Sequence, residues 1–117
     1  MFLTVDPSSP TPLFQQLADG VRAEVIRGAL RPGSRLPSAK ELAESLEINV
    51  HTVLKAYAVL RDEGLVDLRR GRGAVLTAQA SSLGDLSLDL PRLVARARAA
   101  GVGPAALVAL IKEEYSR

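Results

Sequence analysis

The sequence contains no cysteine and no tryptophan, and only 2 Phe and 2 Tyr. Without a thiol, disulfide frameworks, thiolate metal sites, cysteine nucleophiles and thiol redox chemistry are all excluded. The absence also fits a reducing compartment, so a cytoplasmic location is expected. Long apolar runs are missing as well, since no stretch approaches the roughly 20 residues needed to cross a bilayer. The opening MFLTVDPSSP lacks a basic segment followed by an apolar run, so neither membrane insertion nor export is expected. With aromatics at 3%, the core must be built from Leu, Val, Ile and Ala. A chain this small buries only about two-thirds of its unfolded surface, which favours further burial by oligomerisation. Nor does one sign of charge dominate: 15 Lys+Arg against 13 Asp+Glu leave +2. That balance permits nucleic-acid binding without requiring it.

What is present suits one domain, or one domain with a helical appendage: 117 residues, 47% of them hydrophobic. Thr11-Pro12 reads as an N-cap followed by proline at the first helical position. Leu13, Leu17, Val21 and Val25 recur every four residues, Phe14 and Ile26 widen the stripe, and Gly28 stands where a left-handed terminus belongs. The pattern predicts a helix over roughly 12–27. Two prolines and a glycine mark residues 30–38 as a turn. Ser38 and Glu41 then form a capping box that opens a short helix over 39–46, with Leu42, Ala43 and Leu46 inward. Asn49 caps a third helix, in which Val53, Ala56, Tyr57 and Leu60 face the core until Gly64 ends it. About three residues join these two helices, which is a helix-turn-helix signal.

Beyond Gly64 the pattern turns extended. Residues 65–68 and 74–77 flank Arg69-Arg70-Gly71-Arg72-Gly73, predicting a hairpin with a basic tip. Residues 78–90 suit a linker or a frayed helix start. Pro91 fits the first turn of a helix carrying Leu93, Val94 and Ala97. Gly103-Pro104 opens another, carrying Leu107, Val108, Leu110, Ile111 and Tyr115.

The resulting fold class is mainly α with a small β-hairpin: a winged helix-turn-helix followed by a two-helix C-terminal appendage. In a winged helix the third helix enters the major groove of DNA. Asn49, His51 and Thr52 offer short donors and acceptors at the solvent-facing start of that helix, with Lys55 one turn on for a phosphate or a guanine. The arginines of the hairpin tip, with Gly71 and Gly73 allowing close approach, suit backbone phosphates or the minor groove.

Residues 30–77, LRPGSRLPSAKELAESLEINVHTVLKAYAVLRDEGLVDLRRGRGAVLT, resemble the DNA-binding domain of the GntR family of bacterial transcription regulators. The resemblance is carried jointly by several motifs. They are the Pro-Gly-Ser-Arg-Leu-Pro-Ser turn, Glu41-Leu42-Ala43, Thr52-Val53, Glu63-Gly64-Leu65-Val66 and Gly71-Arg72-Gly73. With helix 1 it covers about residues 10–78. The remainder is too short for the effector-binding domains of the large subfamilies, which points to the short YtrA-like branch, whose tail is a helix pair used for dimerisation.

The resemblance therefore implies a DNA-binding domain over 1–78 and a dimerisation segment over 79–117. It implies a homodimeric repressor of an inverted-repeat operator, often of a transporter operon, acting by steric exclusion of polymerase. On duplex DNA, Ser38 would contact phosphate while capping its helix, and Lys40 would lie near phosphate or base. Asn49, His51 and Thr52 would occupy the readout positions, and Arg72 with Gly73 the wing. Val50 and Leu54 depart from the family pattern, standing where many relatives carry arginine. The dimer face would comprise Leu93, Val94, Ala97, Leu107, Val108, Leu110, Ile111 and Tyr115. An unidentified small-molecule effector acting through dimer geometry is compatible with this reading.

Other chemistry finds little support. His51 is the sole histidine, and without a second His or any Cys it is a poor metal ligand or catalyst. Glu41, Glu44 and Glu47 form a solvated face, and Gly71-Arg72-Gly73 lacks the G-x-G-x-x-G spacing of a nucleotide loop. No catalytic residue, metal site or cofactor is expected. The competing function is a winged-helix module that binds protein through the same surface, and the C-terminal apolar stripe has the alternative of closing over its own domain.

Overall fold

Proline, glycine and a few capping side chains decide where the helices begin and end in the computed structural model, which describes residues 3–70 and 73–117. The elements run α1 (Leu13–Ile26), α2 (Ala39–Leu46), α3 (Val50–Asp62), β1 (Val66–Arg69), β2 (Gly73–Leu76), α4 (Ala80–Ala99) and α5 (Pro104–Tyr115). The start of α1 differs from expectation. Pro12, at φ −55° and ψ 144°, is itself the cap residue, and no side chain caps the helix. The Gln16 amide instead ties the incoming chain to the first turn. It accepts from the Asp6 N–H (2.8 Å) and donates to the carbonyls of Asp6 (3.0 Å) and Thr11 (2.8 Å).

At α2 the Ser38 hydroxyl accepts from the Glu41 N–H at 3.1 Å, which is the serine half of the expected capping box, formed without a return bond from the Glu41 side chain. The Asn49 side chain accepts from the His51 N–H at 2.8 Å at the head of α3. Glu47, Ile48 and Asn49 make the turn between them, and Glu47 adopts a left-handed φ of 57°. Gly28 and Gly64, at φ 83° and 81°, end α1 and α3 in the left-handed region where glycine carries no Cβ penalty.

Helices α1 and α2 both pack on α3. Val21, Val53, Ala56 and Leu60 have no exposed surface, and Leu17, Val25, Leu36 and Leu42 fill the space around them. Arg22 of α1 forms ion pairs with Asp19 and with Glu63, just past α3.

The hairpin strands lie one residue earlier or later than the sequence pattern indicates. Val66 pairs with Leu76 and Arg69 with Gly73, antiparallel. Thr77 belongs to the exit rather than the strand, where its hydroxyl donates to the Gly64 carbonyl (2.6 Å) and accepts from the Gln79 N–H (3.3 Å). The turn expected over 30–38 does more than turn. Gly33 and Leu36 donate to the carbonyls of Leu76 and Ala74 (2.8 and 2.9 Å), Leu76 donates to Ser34 (2.9 Å), and Arg35 bridges Val75. Edge pairing uses only these donors, so Pro32 and Pro37 flank it without removing a ladder bond.

The largest departure is α4. Residues 80–90, expected to be linker or frayed, are helical, and Pro91 lies inside the helix rather than in its first turn. Burial explains the early start: Ala80 has no exposed surface and Leu83 packs against the core. Pro91 costs the helix one i→i−4 bond, and its neighbours Leu88, Asp89 and Leu90 are exposed, so water can reach the freed carbonyl.

The chain divides into two compact units, Met1–Asp85 and Leu86–Arg117, and α4 contributes to both. In the second unit, Pro104 stands at the start of α5 after Gly103, as expected. Val94 and Ala97 of α4 face Leu107 and Ile111 of α5 across an apolar groove of about 260 Å³. Leu93, Val108, Leu110 and Tyr115 are exposed, and no residue of 86–117 enters the buried core. Among the described residues, no helix is long and apolar enough to cross a membrane.

Glu47 supplies a stability test. A side chain held in the left-handed region costs about 1–2 kcal/mol, of which glycine's greater freedom in the unfolded chain cancels roughly half. Glu47→Gly should therefore raise the urea-unfolding free energy by about 0.5–1 kcal/mol. A loss of stability would show that the Glu47 side chain contributes more than its backbone strain costs.

Candidate nucleic-acid interface

The first turns of α3 are fixed from below and free above. Its inner face, Val53, Ala56, Tyr57 and Leu60, is buried, while Asn49, His51, Leu54 and Lys55 are exposed and Thr52 is half-buried. The Tyr57 hydroxyl donates to the Pro37 carbonyl at 2.7 Å, locking α3 to the entrance of α2. Burial, and secondarily the charge of Glu41, pushes that hydroxyl well above the ordinary tyrosine range.

Two open clefts border α3. Asn49, His51, Thr52 and Lys55 share one with Leu13 and Phe14 of α1. On the other side Ser38, Leu54 and Tyr57 share a cleft of about 290 Å³ with Leu68, Arg69, Arg70 and Gly73 of the hairpin. Six of the eight candidate DNA-binding residues thus line the two clefts flanking one helix. Lys40 is exposed on the first turn of α2, outside both. Gly73 begins β2 with a left-handed φ of 68°. Arg72 and Gly71 lie outside the described residues.

Some features were beyond the sequence reading. The Lys55 ammonium sits over the Phe14 ring, 4.1 Å from its centroid, so the lysine is positioned by α1 through a cation–π contact. No local spacing signals a pair so distant in sequence. Arg69 is held by Asp67 at 3.1 Å, a same-face pair two residues apart along β1. Leu68 is exposed toward the cleft, and strand periodicity alone does not distinguish a core position from an outer one there. Among the described residues, no group of three or more His, Asp or Glu is arranged to hold a metal ion.

A compact helical unit, a tight turn before α3 and a two-stranded hairpin after it form a winged helix-turn-helix. Residues 13–76 match the bacterial regulatory proteins of the gntR family. The chain belongs to that family. GntR-family regulators are non-enzymatic DNA-binding proteins that control transcription, and the assignment carries that function to this chain.

The chain is similar to the HTH-type transcriptional repressor YtrA of Bacillus subtilis (strain 168). The two are 34% identical over 117 residues, covering 95% of this chain and 90% of the relative. Among solved structures, YtrA from Sulfolobus acidocaldarius, a GntR-family transcription factor, gives a TM-score of 0.63 at 35% identity. That match covers 81% of this chain and 99% of that one. AraR(DBD) in complex with operator ORX1 gives a TM-score of 0.57 at 25% identity, covering 64% of this chain and 93% of that one. The GntR resemblance read from residues 30–77 and the YtrA-like branch read from the short remainder thus agree with a similarity that extends over most of the chain.

The Tyr57 contact can be tested by stability. Tyr57→Phe leaves the Pro37 carbonyl without its donor and should cost about 1–2 kcal/mol at neutral pH. Because folding favours the neutral phenol, its stabilisation is complete below the ordinary tyrosine value of about 10 and is lost as pH rises past it. Urea titrations from pH 7 to 11 should therefore show the difference between parent and variant shrinking above pH of about 10. A constant difference would contradict the burial of a neutral phenol at this position.

Proposed function

We propose that this chain is a transcriptional repressor that binds an inverted-repeat operator as a homodimer, each subunit setting α3 in the major groove with its hairpin on the adjoining backbone. The observation that carries the reading is the exposed, capped first turn of α3, held between two clefts by a fully buried inner face. Asn49, His51 and Thr52 would read base edges there, and Ser38, Lys40 and Lys55 would contact phosphates. Gly73, with Arg72 beside it, would let the hairpin approach the backbone closely. Support for duplex DNA as the partner comes from the winged-helix neighbour AraR(DBD), which was crystallised in complex with an operator. Support for repression comes from the similarity to the repressor YtrA.

The second unit supports the homodimer. Of residues 79–117, the part beyond Asp85 would serve as the dimerisation segment, because α5 has no buried residue and Leu93, Val108, Leu110 and Tyr115 remain exposed. Such a helix pair is marginal without further burial. Steric exclusion of polymerase would account for repression, and a transporter operon in the cytoplasm is the context the YtrA-like resemblance implies. An effector, if one acts, would work by altering dimer geometry.

Selection of bound duplexes from a randomised pool, followed by affinity measurements across salt concentrations, tests the reading. An enriched inverted repeat, with log affinity falling linearly against log salt, is the expected result. Without enrichment, and with weak salt-insensitive binding, the surface would instead be a protein-binding one. His51→Ala and Thr52→Ala should each weaken the selected site by about 1–3 kcal/mol while leaving the melting temperature unchanged. Leu110→Asp should yield monomers in sedimentation; a variant that sediments as the parent does would remove Leu110 from the interface.

A further inference from the structure

The two sides of α3 differ in chemistry. Toward α1 the helix presents Asn49, His51, Thr52 and Lys55, all able to hydrogen-bond. Toward the hairpin it presents Leu54, which is 48% exposed, and the facing wall of that cleft carries Leu68, 41% exposed. Leu54 lies off the inward face of its helix, which is completely buried at Val53, Ala56 and Leu60, and Leu68 carries the inner face of β1 past buried Val66 to the edge of the cleft. Both leucines are therefore open to whatever enters the cleft beside the proposed DNA-reading turn.

Base edges in the major groove offer donors, acceptors and one apolar feature, the C5-methyl group of thymine. A leucine pressed on N7, O6, O4 or an amino group would strip water from it and supply no hydrogen bond in return. Against the methyl it loses nothing and buries apolar surface. We infer that Leu54, backed by Leu68 across the cleft, reads the C5-methyl of a thymine in each operator half-site. The inference rests on the proposed docking of α3 in the major groove. It assigns to Leu54 a discriminating role that hydrogen-bond counting on this helix would overlook.

Deoxyuridine differs from thymidine at this edge by the methyl alone, so substitution at each thymine of the selected operator isolates the contact. At one position per half-site, deoxyuridine should weaken the parent by about fourfold, the worth of one buried methyl. Leu54→Ala should bind the thymine and deoxyuridine duplexes equally at that position, with only a small fall in melting temperature, since nearly half the side chain is already exposed. Leu54→Arg, carried through the same selection, should enrich guanine at or beside that position, because a guanidinium pairs with O6 and N7. If the parent enriches an inverted repeat but no deoxyuridine substitution separates it from Leu54→Ala, the inference is overturned and the DNA-binding reading stands. If the parent enriches no duplex, both fall together.

Discussion

The first unit depends on α3 burying one face completely so that the opposite face can be held still. Val53, Ala56 and Leu60 have no exposed surface, and Tyr57 is nearly as deep. From that burial follow the positions of α1 and α2, which pack against the same residues, and of the hairpin, whose Val66 and Leu76 close the core. The Tyr57–Pro37 hydrogen bond adds direction, because the hydroxyl at the end of this buried side chain has its partner at one place and therefore favours one helix rotation. A rotation of α3 by one residue, about 100°, would carry a leucine inward and a valine out. The orientation of the outer face is a consequence of core packing.

The outer face is built from weak, short-range devices instead of a strong field. The chain's charge is nearly balanced, at +2, so attraction to a polyanion has to come from where cations are held. Lys55 is supported by the Phe14 ring, and Arg69 by Asp67. Both contacts limit side-chain freedom before any partner arrives, which lowers the ordering cost of association. The second unit has the opposite character, with no buried residue in α5 and large apolar side chains exposed.

Much of the first unit was legible because its signals are local. Capping at Ser38 and Asn49, left-handed glycines at 28 and 64, and the spacing of Val53, Ala56, Tyr57 and Leu60 each constrain a few neighbouring residues and agree with one another. The misreadings arose where distant residues decide. Proline at 91 is a helix-start signal in isolation, but burial of Ala80 begins α4 earlier and the proline is carried inside it. Residues 33–36 read as a turn, yet the free edge of β2 recruits them. At Thr11 a cap was expected, but Gln16 reaches back to the carbonyls near it. For the candidate site, the contacts that position its residues were not readable. The pairing of Lys55 with Phe14, and the cleft that joins Leu54 to Leu68, exist only once the helices and hairpin are assembled.

The central claim is that the first turn of α3 and the adjacent hairpin form one DNA-reading surface. Titrating isotopically labelled protein with a selected duplex, and following every backbone amide by NMR, tests it most directly. The largest shifts should fall on residues 49–55, the head of α2 and the hairpin, with little change at the amides of α1 that face away from α3. Shifts concentrated on α5 or on the outer side of α1, with residues 49–55 unmoved, would contradict it.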